Sequence, residues 1–272
     1  MKIMNLKLSV VISFLFLHLS ADAQLLFESR WGISYEDALL KTSKDSVLKI
    51  VLDSNDVSST IDLRIFPNLE GLIFSNWDGD YSLIEQVNTL KLLTISLSSD
   101  ISKLDFSNYQ DLELLAITNM GLTAIPKGIT DLKKLRALSL GEQEKMLDFY
   151  CYGPVYFKTQ NKITELPESF SNLTALEELD ISYNPITVLP SSFDKLTKLN
   201  YLHIEGTALI DLPACITSPK NGTEFILLYL TGKYNSFSGP TKRYLRKQDM
   251  RAYAVVKCVD GTRIKRMCIQ LK

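Results

Sequence analysis

Residues 173–195 read LTALEELDISYNPITVLPSSFDK, and residues 196–216 read LTKLNYLHIEGTALIDLPACI. Leu173, Leu176, Leu179, Ile181, Ile186, Leu189, Pro190 and Phe193 return as Leu196, Leu199, Leu202, Ile204, Leu209, Leu212, Pro213 and Ile216, at an offset of 23 residues each time. A fixed period of this length marks stacked units, each burying its apolar side against the next. Every position in the pattern has a physical task. Leu179 and Ile181 alternate with period two, which predicts a short strand with both side chains facing inward. Asn184 stands where the chain leaves the strand, and its amide can bond backbone groups that the turn leaves unpaired. Pro190 falls on the return arm, where an extended backbone tolerates a residue without an N–H.

Upstream the same pattern is looser. Ile50 and Leu52 fit the strand pair, followed by Leu69, Leu72 and Phe74, then Leu90, Leu93 and Ile95. Leu112, Leu115 and Ile117 lead to Leu122, Ile125, Pro126 and Ile129. The early units lack the Leu-Pro step and the asparagine. Met120 stands in the asparagine column with Asn119 beside it, and Thr207 replaces it later. Leu132, Leu135, Leu138 and Leu140 open another unit whose asparagine arrives only at Asn161, an insertion over residues 143–160. That insertion carries Phe149, Tyr150, Cys151, Tyr152, Tyr156 and Phe157. Insertions at one repeat position emerge on one side of a solenoid, often the binding side. The aromatic loop is either a contact surface or a cover over exposed core.

The spacing L-x-x-L-x-x-L-x-L-x-x-N-x-L-x-x-L-P closely resembles the leucine-rich-repeat family. The resemblance runs roughly from Val47 to Ile216 and is strongest from Leu112 onward. The 23-residue form with the Leu-Pro step is similar to repeats of many bacterial proteins and of plant Ras-group leucine-rich-repeat proteins. It implies an α/β solenoid of about seven repeats: a curved parallel sheet, an irregular or 3-10 convex side and an N-terminal helical cap. It also implies that strand residues between the inward leucines form a concave, water-facing binding surface. The middle column of that face reads Val51, Ile73, Thr94, Ala116, Ser139, Asp180 and His203, with Glu178, Tyr201, Ser182 and Glu205 in the late flanking columns. The early face is therefore small or apolar and the late face acidic and aromatic. Tyrosine beside fixed charge is a common recognition mixture. The expected partner-contacting residues are Glu178, Asp180, Ser182, Tyr201, His203 and Glu205, with Tyr152 and Tyr156 on the loop. The competing reading is a solvated face without a partner, because exposed strand positions must hold something polar.

The two ends differ from the middle. Residues 1–23 have the form of a secretory signal peptide: Lys2 and Lys7, an apolar run from Leu8 to Leu19, and Ala21-Asp22-Ala23 as the cleavage site. A membrane anchor is the alternative, but the run is short of the roughly 20 residues a spanning helix needs. The expected location is secreted or in the cell envelope. Residues 24–46 are expected to form the cap. Their helix would run from Ser34 to Ser46, with Ser34 as N-cap, Glu36 and Asp37 in the first turn, and Tyr35, Ala38, Leu39 and Leu40 as its apolar face. Trp31 would pack beneath it. The repeats occupy residues 47–232, with a turn at 218–222 and a last strand from Phe225 to Leu230.

The whole chain has 30 Lys and Arg against 31 Asp and Glu. Residues 233–272 hold eleven Lys or Arg and two acids, a net +9, while residues 1–23 carry +1; residues 24–232 are left with −11. This basic end reads as a C-terminal cap on the acidic solenoid, as a binder of acidic surfaces, or as an export or anchoring element. Its close, YAVVKCVDGTRIKRMCIQLK, weakly resembles the strand-turn-strand end of C-terminal sorting domains in Bacteroidetes-type secreted proteins. Asp260-Gly261 is a hairpin signal, with Cys258 opposite a residue near Arg263 rather than Cys268. Cys151, Cys215, Cys258 and Cys268 are compatible with one or two bridges or with buried thiols.

Ingredients of catalysis are sparse. The segment after residue 23 has one histidine, His203, and its strand neighbours follow the repeat. No paired close spacing of Cys and His suggests zinc, and neither Gly-rich phosphate motif is present. No cofactor, metal or nucleic acid is expected, and no later apolar stretch is long enough to span a bilayer. The function expected is non-catalytic recognition of a protein or glycan through the concave face and the loop. The alternative is a structural or surface-attachment role carried by the basic tail. Asn172-Leu173-Thr174 and Asn221-Gly222-Thr223 are glycosylation sequons only in a host that modifies them.

Overall fold

A computed structural model describes residues 32–54, 56, 60–98, 100–141, 160–204, 206–217, 226–228, 238–247, 258–259 and 263–264. At 215, 217, 226–228, 244–247, 258–259 and 263–264 it describes the backbone alone. The signal-like segment, Trp31, the loop with Tyr152 and Tyr156, Glu205, Cys151 and Cys268 lie outside these residues.

The repeats stack into one nine-stranded parallel sheet whose spatial order is the chain order. Its strands are β1 (Ile33–Ser34), β2 (Lys49–Asp53), β3 (Gly71–Ser75), β4 (Leu92–Ser96), β5 (Leu114–Thr118), β6 (Ala137–Ser139), β7 (Glu178–Asp180), β8 (Tyr201–His203) and β9 (Ile226–Leu228). The register places Leu72, Leu93, Leu115, Leu138, Leu179 and Leu202 side by side. All six are fully buried. β6 and β7 keep this register although their partners are 41 residues apart, as in Leu138 opposite Leu179. The extra chain therefore leaves the stack between two paired strands without breaking the ladder.

On the far side the chain returns through 3-10 turns at Leu63–Ile65, Tyr81–Gln86, Phe106–Asn108, Ile129–Asp131, Glu168–Asn172 and Ser191–Lys195. Late turns start after Pro167 and Pro190. Early turns, which lack the Leu-Pro step, start at Asp62, Asp80 and Asp105. Each of these carboxylates accepts the N–H two residues on, at 3.1 Å, from Arg64, Ser82 and Ser107. Aspartate thus caps the turn that proline shapes later. Phe106, Phe170 and Phe193 project from these turns into the core.

After several strands the chain takes one left-handed residue: Asn76, Leu97, Asn119, Tyr183 and Gly206, with φ between 52° and 65°. These five occupy one column, so the reversal off the strand is a repeated feature. Four of them carry a side chain in a region that only glycine enters freely.

Both ends depart from expectation. The helix expected over residues 34–46 stops at Leu40: α1 spans Tyr35–Leu40 and a 3-10 turn follows at Lys44–Ser46. Ser34 is the N-cap as expected and accepts from the Asp37 N–H at 3.1 Å. The Lys44 ammonium donates to the carbonyls of Ala38, Leu39 and Lys41, which satisfies the groups that a helix end leaves open. Tyr35 and Ala38 are buried, but Leu39 is 44% exposed and Leu40 82%, so half of the expected apolar face looks outward. The strand β1 before the helix was not expected.

At the other end, helices α2 (Ala214–Thr217) and α3 (Gly239–Lys247) were not expected either. Strands β10 (Cys258–Val259) and β11 (Arg263–Ile264) form the antiparallel pair signalled by Asp260-Gly261. Cys258 lies opposite Ile264 in that register.

Candidate functional site

Two rows of side chains project from the non-core side of the sheet. One row, in register, runs Gly71, Leu92, Leu114, Ala137, Glu178 and Tyr201. The next runs Val51, Ile73, Thr94, Ala116, Ser139, Asp180 and His203. Ile73, Leu92, Leu114, Ala137 and Tyr201 make an apolar cluster separate from the main core, with Val51 packed against it. The early face is therefore apolar, as its columns imply. Tyr201 belongs to this cluster and lies in register beside Glu178.

The polar group lies on β6 to β8. The Asp180 carboxylate reaches across to His203, with Oδ1 3.2 Å from Nδ1. The Ser182 N–H donates to Asp180 Oδ1 at 2.9 Å, and the Ser139 hydroxyl donates to Asp180 Oδ2 at 3.2 Å. Burial opposes ionisation of Asp180. The charge and hydrogen bond of His203, with the bonds from Ser182, outweigh it and hold the carboxyl down from the ordinary 3.8 to about 2. Gly141 makes room for this carboxylate: a Cβ there would lie 2.2 Å from Asp180 Oδ1 and 2.4 Å from Ser182 Oγ.

The exposure of these residues corrects the expectation of a water-facing surface. Glu178, Asp180, Ser182, Tyr201 and His203 are all buried, between 1% and 7% exposed. Asp180 is enclosed in part by Ser139 and His203 of the adjacent strands and by Ser182. The early neighbours Ile73, Thr94, Ala116 and Ser139 are buried too. Half-buried positions border the face: Asp53, Ser75 and Ser96 near the strand ends, and Tyr183 on the turn after β7.

The chemistry available is that of a polar binding floor. A histidine oriented by a carboxylate at Nδ1 is one half of a nucleophilic triad, but here the Ser139 hydroxyl bonds the carboxylate rather than the imidazole. Among the described residues no group of three or more His, Cys, Asp or Glu could hold a metal ion.

At the turns that border this sheet, asparagines stitch successive repeats together. Asn161 Oδ1 accepts from the N–H groups of Met120 and Leu122, each at 3.1 Å, and Nδ2 donates to the carbonyls of Ile117 and Leu140 at 2.7 and 3.0 Å. Asn184 Oδ1 accepts from the Ile163 N–H at 3.0 Å, and Nδ2 donates to the carbonyls of Leu140, Ile181 and Ser182. A family model described as leucine-rich repeat matches residues 159–209, which contain both asparagines. Residues 159–209 are thus leucine-rich repeats. The same register and the same parallel sheet carry the repeat beyond that match, back to β2. Leucine-rich-repeat proteins generally serve in protein–protein recognition and are typically not enzymes.

Among solved structures, a leucine-rich-repeat protein of Leptospira interrogans is similar at 18% identity and a TM-score of 0.46, over 74% of this chain and 59% of that one. This chain thus spans somewhat more than half the length of that protein. Comparison with curated proteins gives no match. Among the described residues, no helix is long and apolar enough to cross a membrane.

Of the residues read from the sequence, Glu178 and Asp180 lie on β7, Ser182 just after it, and Tyr201 and His203 on the adjacent β8. The sequence reading missed Ser139 and Gly141, which come from β6 and the residues just after it, across the 41-residue step. Ser139 was in the middle column as read, so its place beside Asp180 could have been found by aligning the two strands over the insertion.

Proposed function

We propose that this protein is a non-catalytic recognition module that binds a protein or glycan through the concave face of its repeat sheet, with the late polar group setting specificity. The observation that carries this reading is the Asp180–His203 pair with Ser139 and Ser182. Repeat stacking requires the inward leucines but nothing ionisable on the opposite side. A buried carboxylate held charged by an imidazole and two serines is a costly feature there unless it serves a surface chemistry. Because these side chains are buried, the partner meets the face along its half-buried border, at Ser75, Ser96 and Tyr183. The polar group beneath fixes shape and charge.

Affinity capture from envelope and host-cell extracts tests the reading, with the variant Asp180→Asn, His203→Gln run beside the parent chain at matched folded fraction. The expected result is a partner held by the parent and released by the variant. A partner held equally by both overturns the assignment of the polar group.

A further inference from the structure

The C-terminal helix α3 has two sides of different character. On one side Thr241 is fully buried. Its hydroxyl donates to Asp211 Oδ1, which directly precedes the last Leu-Pro repeat step, and accepts from the Leu212 N–H at 3.4 Å. Ser238 caps the helix, its Oγ 3.4 Å from the Thr241 N–H and its carbonyl 3.0 Å from the Lys242 N–H. The helix is therefore fastened to the end of the solenoid at a defined place. On the other side, Lys242, Arg243, Arg246 and Lys247 occupy neighbouring positions at helical spacing, and the helix GPTKRYLRK contains no acid. Arg243 is exposed.

We propose that α3 is an attachment element whose basic side binds an anionic phospholipid surface. Its other side is taken up by the solenoid at Thr241, so the helix cannot sink into hydrocarbon and its contact is electrostatic, with headgroup phosphates. Charge complementarity selects that surface and sets the orientation. Helix α3 carries four basic residues and no acid, while residues 24–232 carry −11, so an anionic surface attracts the helix and turns the acidic repeats away from it. Screening over roughly 8 Å keeps the distant acidic repeats from cancelling that attraction. Held end-on, the molecule leaves its repeat sheet clear of the membrane. This attachment is independent of the concave-face reading.

Co-sedimentation of the purified chain with phospholipid vesicles tests it. Binding is expected to vesicles containing phosphatidylglycerol, not to phosphatidylcholine alone, and to weaken with added salt. Each Lys or Arg near such a surface is worth about fivefold in affinity, so Lys242→Gln, Arg243→Gln, Arg246→Gln and Lys247→Gln together weaken binding several-hundred-fold. The charge-preserving set Lys242→Arg, Arg243→Lys, Arg246→Lys and Lys247→Arg retains it. Equal binding by the Gln variant overturns the proposal, as does loss of binding in the charge-preserving set. Binding to neither vesicle also overturns it, and capture by heparin without vesicle binding assigns the basic side to a sulfated polysaccharide instead.

Discussion

Arg136 and Glu177 lie 41 residues apart and face each other through two parallel hydrogen bonds, Nε to Oε1 at 3.0 Å and Nη2 to Oε2 at 2.9 Å. Arg136 also stands 3.8 Å from Glu113, and Lys91 pairs with Glu70 at 2.5 Å. Glu70, Lys91, Glu113, Arg136 and Glu177 each directly precede a strand. They form a ladder of alternating charge across five repeats, passing over the insertion. In the same column each carbonyl accepts two successive N–H groups of the next repeat, as Arg136 does from Glu177 and Glu178 at 2.7 and 3.0 Å. The backbone bonds set the register, and the charges penalise a slip.

Arg136→Ala is expected to lower stability by about 1 kcal/mol or less, because these side chains are 30–40% exposed and surface pairs are worth little. A double-mutant cycle with Glu177→Ala by urea unfolding should return a coupling in that range. Zero coupling would mean that the backbone alone holds the β6–β7 register.

Asn184→Ala removes four hydrogen bonds from a residue that is 1% exposed. Buried backbone groups of two repeats lose their partner, at a cost of about 1–3 kcal/mol. Asn161→Ala should behave alike. Asn119→Ala should cost less, because that amide bonds neither neighbouring repeat, and both of its polar atoms are buried without a hydrogen-bond partner. Urea midpoints of the three variants check the ordering.

Asp180 gives a pH dependence of definite sign. Its carboxyl is held at about 2 in the fold, below its ordinary 3.8. Ionised Asp180 therefore contributes stability that is fully present above the ordinary value and is lost as pH falls toward 2. Asp180→Asn should be less stable than the parent near neutrality, and the gap should narrow as pH falls through that window. Thermal melts from pH 5 to pH 2, as roughly bounded by linkage, measure it. A gap independent of pH would show that Asp180 is not held ionised by His203 and the serines.

Thr241→Val keeps the shape of the side chain and deletes the hydroxyl shared by Asp211 and Leu212. Loss of one such bond costs about 1 kcal/mol of local stability. Limited proteolysis should then cut the chain between the last repeat and α3 faster than in the parent. An unchanged cleavage rate would show that the hydroxyl does not fasten the helix.

Much of the solenoid is legible in the sequence because the inward leucines face one requirement, burial, and few side chains meet it. The turn column is legible only where asparagine occupies it. Further upstream the same position holds Met120, Ser98 and Trp77, yet the bonding continues: the Met120 sulfur accepts from the Ser98 N–H at 3.3 Å, and Ser98 Oγ accepts from the Trp77 N–H at 3.0 Å. Three chemically unlike acceptors can answer one N–H, so the pattern vanishes from the residue letters while the physics persists. The aspartates that begin the early convex turns are hidden in the same way by uneven spacing. Helix α1 is shorter than its sequence suggests because Lys44 folds back onto its last carbonyls, a local bond that propensity does not report. The site is legible in its columns but not in its exposure. Burial on a concave face depends on neighbours from other strands, and Gly141 matters only because Asp180 lies against it.

Photo-crosslinking from single positions in the bound complex tests the recognition account most directly. Benzoylphenylalanine placed at Ser96 and at Tyr183 samples the concave border, and the same residue at Ile65 and at Asp194 samples the convex turns. The account predicts crosslinks to the captured partner from Ser96 and Tyr183 and none from Ile65 or Asp194. Crosslinks confined to the convex positions would contradict it.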